Sequence, residues 1–166
     1  MIGCLVGSEM CIRDRVYIKR VIGLPGDKVR LIKGKLFINE SMLIREELSN
    51  FVEKKIEQGS MKTVPQCVNE PVPFGNENCI KYQSLEKLDN GKSYKILDLG
   101  QNIGDDTQDF IIGDNEYFFL GDNRDNSLDS RFDRQFGGVG LVSIEYLICL
   151  LYTSPSPRDS RASRRP

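Results

Sequence analysis

Histidine is absent from all 166 residues, and so is tryptophan. The first absence excludes the most. Ser-His-Asp and Cys-His catalytic arrangements, and the usual histidine-bearing zinc sites, need an imidazole that this chain does not have. An enzyme built from it must take its base from Lys, Asp, Glu, Tyr or Cys. An excess of one charge is also lacking: 23 Lys and Arg against 24 Asp and Glu leave a formal net charge of -1. That balance argues against a nucleic-acid binder held by bulk charge. No run reaches the ~18 consecutive apolar residues of a membrane-spanning helix. With 39% hydrophobic and 28% charged residues, the chain can build one core of ordinary size rather than two.

Regular patterning is missing at both ends. Residues 149–166 are rich in Pro, Ser and Arg and follow neither a period of two nor one of 3.6. Residues 1–15 are no better patterned, and the apolar run Ile2 to Val6, broken by Gly3, is too short for a signal peptide. Leu5 to Asp14 reads as one frame of a transposase library adapter, and Cys149 to Asp159 as a frame of its reverse complement. The two ends are therefore expected to be non-native and to add little to the core, leaving residues 16–148 as the genuine segment. Of five cysteines, Cys11 and Cys149 fall in adapter sequence and Cys4 lies beside it. Cys67 and Cys79 remain. They bracket one loop, as a disulfide would in an oxidising compartment, or they are two free thiols in a reducing one.

Within residues 16–148 the signals are those of strands and turns. Val16 to Ile22 is a β-branched and aromatic run ended by Gly23-Leu-Pro-Gly26. Val29 and Leu31, then Leu36 and Ile38, alternate on either side of Lys33-Gly34 and predict a hairpin. A second hairpin is expected from Tyr82–Leu88 and Ser93–Leu97 around Asp89-Asn-Gly91. A third is expected from Phe110–Ile112 and Glu116–Leu120 around Gly113-Asp-Asn115. Leu141 to Ile148 reads as a closing strand. Leu48, Phe51, Val52 and Ile56 fit a helical stripe, so a helix over 43–56 is expected as an alternative to strand. Residues 59–75, with three prolines, read as loop. The fold class is mainly β: hairpin-built antiparallel sheet with at most one or two short helices.

Two stretches are too specific in composition for ordinary connectors. In Tyr17-Ile-Lys-Arg-Val-Ile-Gly-Leu-Pro-Gly-Asp27, strand alternation puts Tyr17, Lys19 and Val21 on one face and Ile18, Arg20 and Ile22 on the other. Lys19 is thus a candidate for a partly buried amine, or else an edge lysine whose stem packs while its ammonium reaches water. In Gly121-Asp-Asn-Arg-Asp-Asn-Ser-Leu-Asp-Ser-Arg131, nearly every residue can close a turn or pair a charge. A calcium loop is excluded there. An EF-hand counted from Asp122 would need Gly where Ser127 stands and a later Glu that is missing.

These two blocks together resemble those of the type I signal peptidases, membrane-bound serine peptidases that remove signal peptides from exported proteins. Phe136-Gly137 and Leu141-Val142 resemble the sequence that follows the second block. The resemblance implies a Ser/Lys dyad with no histidine, no cofactor and no metal. It implies Lys19 as general base and Ser127 as the hydroxyl that orients the amine, the two within ~3.5 Å or one water of each other. It further implies Asp129 and Arg131 as a charge pair behind the site, Asp122 and Arg124 as supporting polar residues, and Tyr17 and Ile18 as lining of shallow pockets for Ala-X-Ala before the cut. The implied partners are signal peptides and a membrane, reached through an N-terminal anchor, with the catalytic domain on the outer face of a bacterial inner membrane. The family's nucleophile lies on an earlier Ser-Met turn; Ser8 is too close to Lys19 to be it, so nucleophile, part of the oxyanion hole and anchor are expected to be missing. A mitochondrial inner-membrane relative, another Ser/Lys peptidase, or a non-catalytic β-rich binding module are the competing readings.

Overall fold

Alternating side chains and left-handed turns decide most of the architecture. The computed structural model describes residues 3–7, 16–58, 62–88 and 91–150, and these form antiparallel strands with three single-turn 3-10 helices. The hairpin of β3 (Lys28–Ile32) and β4 (Lys35–Ile38) closes as expected. Both its turn residues have positive φ, Lys33 at 49° and Gly34 at 72°, the geometry that lets a two-residue turn follow strand twist. With β5 (Ser41–Met42) on one side and β10 (Phe110–Ile111) on the other, it makes one sheet in the order β10-β3-β4-β5.

A second sheet is organised by the long β8 (Asn78–Lys87). Its two halves pair with β6 (Ile44–Glu47) and β7 (Phe51–Lys54), and β9 (Ser93–Asp98) runs along its other side. The helix considered over 43–56 is therefore corrected to two strands. Val52 and Ile56 of its apolar stripe stay exposed, so helical burial had nothing to gain. The disulfide candidate is formed: Cys67 is bonded to Cys79 on β8, with Cα atoms 5.1 Å apart.

The third sheet has the order β12-β11-β2-β1-β13, from β12 (Val142–Ser143), β11 (Glu116–Leu120), β2 (Val16–Gly23), β1 (Gly3–Gly7) and β13 (Leu147–Leu150). Here three expectations are corrected. β10 and β11 do not pair with each other; Phe110 pairs with Val29 while Phe119 pairs with Val21, so the turn at 113–115 carries the chain from one sheet to another. The closing strand is interrupted by a 3-10 turn, Ile144–Tyr146. Gly3–Gly7, set aside with the end segments, is hydrogen-bonded between β2 and β13. The first two residues of the C-terminal end segment, 149–150, belong to β13; residues 1–2, 8–15 and 151–166, Ser8 included, lie outside the described residues.

β2 pairs with β11 through a bulge: Gly23 faces Phe118, but Val21 faces Phe119, leaving Ile22 as the extra residue. Around it, two apolar clusters meet. Ile22 joins Val29, Leu31, Leu36, Ile96, Ile112, Phe118 and Leu120 in the main core. Tyr17 and Val21 pack instead on a smaller cluster of Phe119, Val139 and Val142. Gly23 lies against the main core, where a Cβ would stand 2.3 Å from Ile112 Cδ1 and 2.8 Å from Val29 Cγ2.

Candidate active site

The contact of Lys19 with Ser127 is built where β2 and the end of β11 run side by side. Leu120 pairs with Arg20, so the chain leaving β11 at Gly121 passes Lys19 directly. It then turns through Asp122 and Asn123 into the 3-10 turn Arg124–Asn126 and returns with Ser127 extended. Lys19 Nζ donates a 2.5 Å hydrogen bond to Ser127 Oγ across 108 residues of sequence. Gly121 makes this approach possible: a Cβ at that position would stand 2.1 Å from Ser127 Oγ and 2.4 Å from Ser127 Cβ. No residue but glycine fits there.

Burial lowers the pKa of the Lys19 amine, because desolvation disfavours the ammonium. Asp129 pulls in the other direction and Arg131 opposes Asp129. These two opposing charges are paired with each other. Arg131 grips Asp129 with Nε on Oδ1 at 2.8 Å and Nη2 on Oδ2 at 3.0 Å, both side chains buried. Such a bidentate pair is nearly neutral as seen from the amine. Asp129 Oδ2 also accepts from the Gly121 amide at 3.0 Å, which ties the pair to the residue beneath Ser127. Arg131 Nη2 donates to the Arg124 carbonyl at 2.5 Å. Ser130 Oγ accepts from the Phe119 amide at 2.9 Å and seats the returning chain on β11.

The remaining sequence-singled residues fall around this centre. Asp122 pairs bidentately with Arg20, both contacts at 2.7 Å, and the Arg20 guanidinium lies 4.2 Å over the Tyr94 ring. Arg124 touches neither Lys19 nor Ser127; it pairs with Glu86 at 2.5 Å in the interior. Tyr17 and Ile18 are not brought to one face. Tyr17 packs on the smaller cluster, whereas Ile18 points outward, 76% exposed. Sequence reasoning missed Glu86, Tyr94 and the steric role of Gly121. The only signal for Glu86 was a carboxylate at an inward position of β8, whose alternation buries Ser84 and Glu86 alike.

Among the described residues no cluster of His, Cys, Asp or Glu could hold a metal ion, and no helix is long and apolar enough to cross a membrane. The chemistry on offer is that of a half-buried amine held by a hydroxyl. When neutral, such an amine can donate to Ser127 and keep its lone pair for a proton from elsewhere.

Comparison with known proteins bears on the family. The family model described as signal peptidase, peptidase S26, matches residues 11–151. Relatives named signal peptidase I include one of Rickettsia bellii (strain OSU 85-389), 38% identical over 139 residues, covering 80% of this chain and 39% of the relative. Another, of Rickettsia typhi, is 35% identical over 149 residues, covering 85% of this chain and 45% of the relative. That of Rickettsia akari is 38% identical over 140 residues, covering 80% and 42%. The chain thus spans less than half the length of these curated relatives. A fold with a Lys19–Ser127 contact at its centre and a family match over residues 11–151 lead to one statement: this chain belongs to the signal peptidase S26 family.

Proposed function

We propose that this chain is part of a membrane-bound serine endopeptidase that removes signal peptides from exported preproteins. Lys19 is the general base and Ser127 its orienting partner. The observation that carries the reading is the 2.5 Å contact between a burial-lowered amine and a serine hydroxyl. In the reaction, the Lys19 amine takes the proton from an attacking serine hydroxyl and passes it to the leaving amine. Ser127 fixes the amine's direction, while the Asp129–Arg131 pair holds the loop without charging it. This reading assigns the attacking serine and the rest of the oxyanion hole to residues outside 16–148. Ile18 and Tyr17 contribute to recognition of Ala-X-Ala before the cut. The Cys67–Cys79 bond suits an oxidising compartment, which favours the outer side of a bacterial inner membrane.

The test compares the complete 166-residue chain with the full-length gene product on a preprotein carrying Ala-X-Ala. Cleavage by the full-length protein alone, lost in Lys19→Ala, is expected. Cleavage by the 166-residue chain, abolished by Lys19→Ala, would mean that the nucleophile lies within it.

A further inference from the structure

Glu86 is a carboxylate in the middle of the protein, 1% exposed. Its Oε2 accepts from Arg124 Nη2 at 2.5 Å and from Tyr94 Oη at 2.8 Å. Burial beside that carboxylate pushes the Tyr94 phenol up, so it remains a donor. Arg124 is itself 3% exposed, and its Nε and Nη1 have no hydrogen-bond partner among the described residues. Glu86 is thus the anion that holds this guanidinium. A buried ion pair of this kind is a weak source of stability, since desolvation of both charges offsets most of their attraction. Its effect is to fix a position.

The position it fixes is the loop of the dyad. Arg124 opens the 3-10 turn whose next residue is Ser127, and its carbonyl receives Arg131, the partner of Asp129. Asp129 in turn holds the Gly121 amide. A separate backbone bond, from the Leu97 amide to the Asp122 carbonyl at 2.7 Å, joins the same loop to β9. The Leu99 amide, just past β9, donates to Asp125 Oδ2 at 2.5 Å, so β8, β9 and the residue after it hold the loop at three points. We propose that Glu86 is a positioning residue for the Lys19–Ser127 pair, holding residues 121–127 through Arg124 at the depth where Ser127 meets the amine. This rests on the reading of Lys19 as the base.

The test uses the complete 166-residue chain with ¹³C-labelled lysine, following the Lys19 amine by its Cε signal against pH and identifying it by its loss in Lys19→Arg. Glu86→Gln keeps the size of the side chain and removes its charge. The expected result is a Lys19 midpoint that moves up toward that of a free lysine as the Ser127 cover loosens. The backbone amide signals of the β3–β4 hairpin should stay in place. A folded Glu86→Gln chain with an unmoved Lys19 midpoint overturns the proposal. If that variant does not fold, Glu86→Gln with Arg124→Met removes both buried charges and is titrated in its place, with the same two outcomes. Failure of both to fold would make the pair a support of the whole core, and the proposal would be wrong. A wild-type Lys19 that titrates like a free lysine would instead refute the base assignment itself, before any variant is measured.

Discussion

Replacing Gly121 by Ala tests the dyad geometry with a single methyl group. The new Cβ would lie 2.1 Å from Ser127 Oγ, 2.4 Å from Ser127 Cβ and 3.6 Å from Lys19 Nζ. Real Cβ contacts essentially never fall below 3.0 Å, so Ser127 must retreat by about 0.9 Å, the difference between that limit and 2.1 Å. It cannot do so freely. Its neighbours Asp129 and Ser130 are pinned to the Gly121 and Phe119 amides, and β11 behind Gly121 is locked to β2. Overpacking of this kind costs about 1–3 kcal/mol, which for a domain of this size lowers Tm by roughly 2–12 °C. The retreat also draws Ser127 away from Lys19 Nζ and uncovers the amine, whose pKa should move up from its burial-lowered position. The assay is thermal unfolding by circular dichroism together with NMR titration of Lys19. A Tm within 1 °C of the parent and an unmoved Lys19 signal would show that Gly121 does not lie against Ser127.

Three further outcomes are expected. In Lys19→Met the stability at neutral pH should rise: the folded pKa lies below the ordinary 10.5, so the ammonium opposes folding at lower pH, and the variant's advantage should shrink as pH climbs toward 10.5, read by urea unfolding at several pH values. Asp125 has its pKa raised by burial, with Asp98 and Asp105 adding to the effect; Asp125→Asn should therefore be more stable than the parent at neutral pH and lose that gain below the ordinary value of 3.8, while its side-chain oxygen can still accept from the Leu99 amide. Reduction of Cys67–Cys79, or Cys67→Ala with Cys79→Ala, should cost about 2–4 kcal/mol in chemical denaturation, and a reductant should have no effect on the doubly substituted chain.

What the sequence made legible depended on how local each signal was. The β3–β4 hairpin could be read because its whole instruction, alternation plus Lys33-Gly34, lies within eleven residues. The turn at 113–115 carries equally good turn residues, with Asn115 at φ 65°, yet its flanking strands pair with β3 and β2 instead of each other. Turn chemistry reports that the chain bends, not which strand it meets next. The 43–56 segment was ambiguous for a related reason: its apolar residues satisfy a helical stripe on paper, and only β8, thirty residues on, supplies the edge that makes strands of them. At the site, Lys19, Ser127, Asp129 and Arg131 stood in two contiguous blocks and could be singled out. Glu86 and Tyr94 could not, since their importance comes from where β8 and β9 carry them.

The bulge in β2 has a consequence for tolerance to insertion and deletion. Side chains on a strand alternate, so with Val21 held opposite Phe119, a one-residue insertion between Arg20 and Val21 would move Arg20 into the place of Lys19. The guanidinium, which cannot give up its proton, would then stand opposite Ser127, and the amine would turn to the other face. At Ile22 the ladder already skips one residue against Phe118 and Phe119. A deletion there can be absorbed by straightening the strand, leaving Tyr17 through Val21 in register with β11. β2 thus has a stiff half, in which length is bound to chemistry, and a compliant half, in which it is not; the main core on one side can drift over generations without the amine on the other side ever changing face.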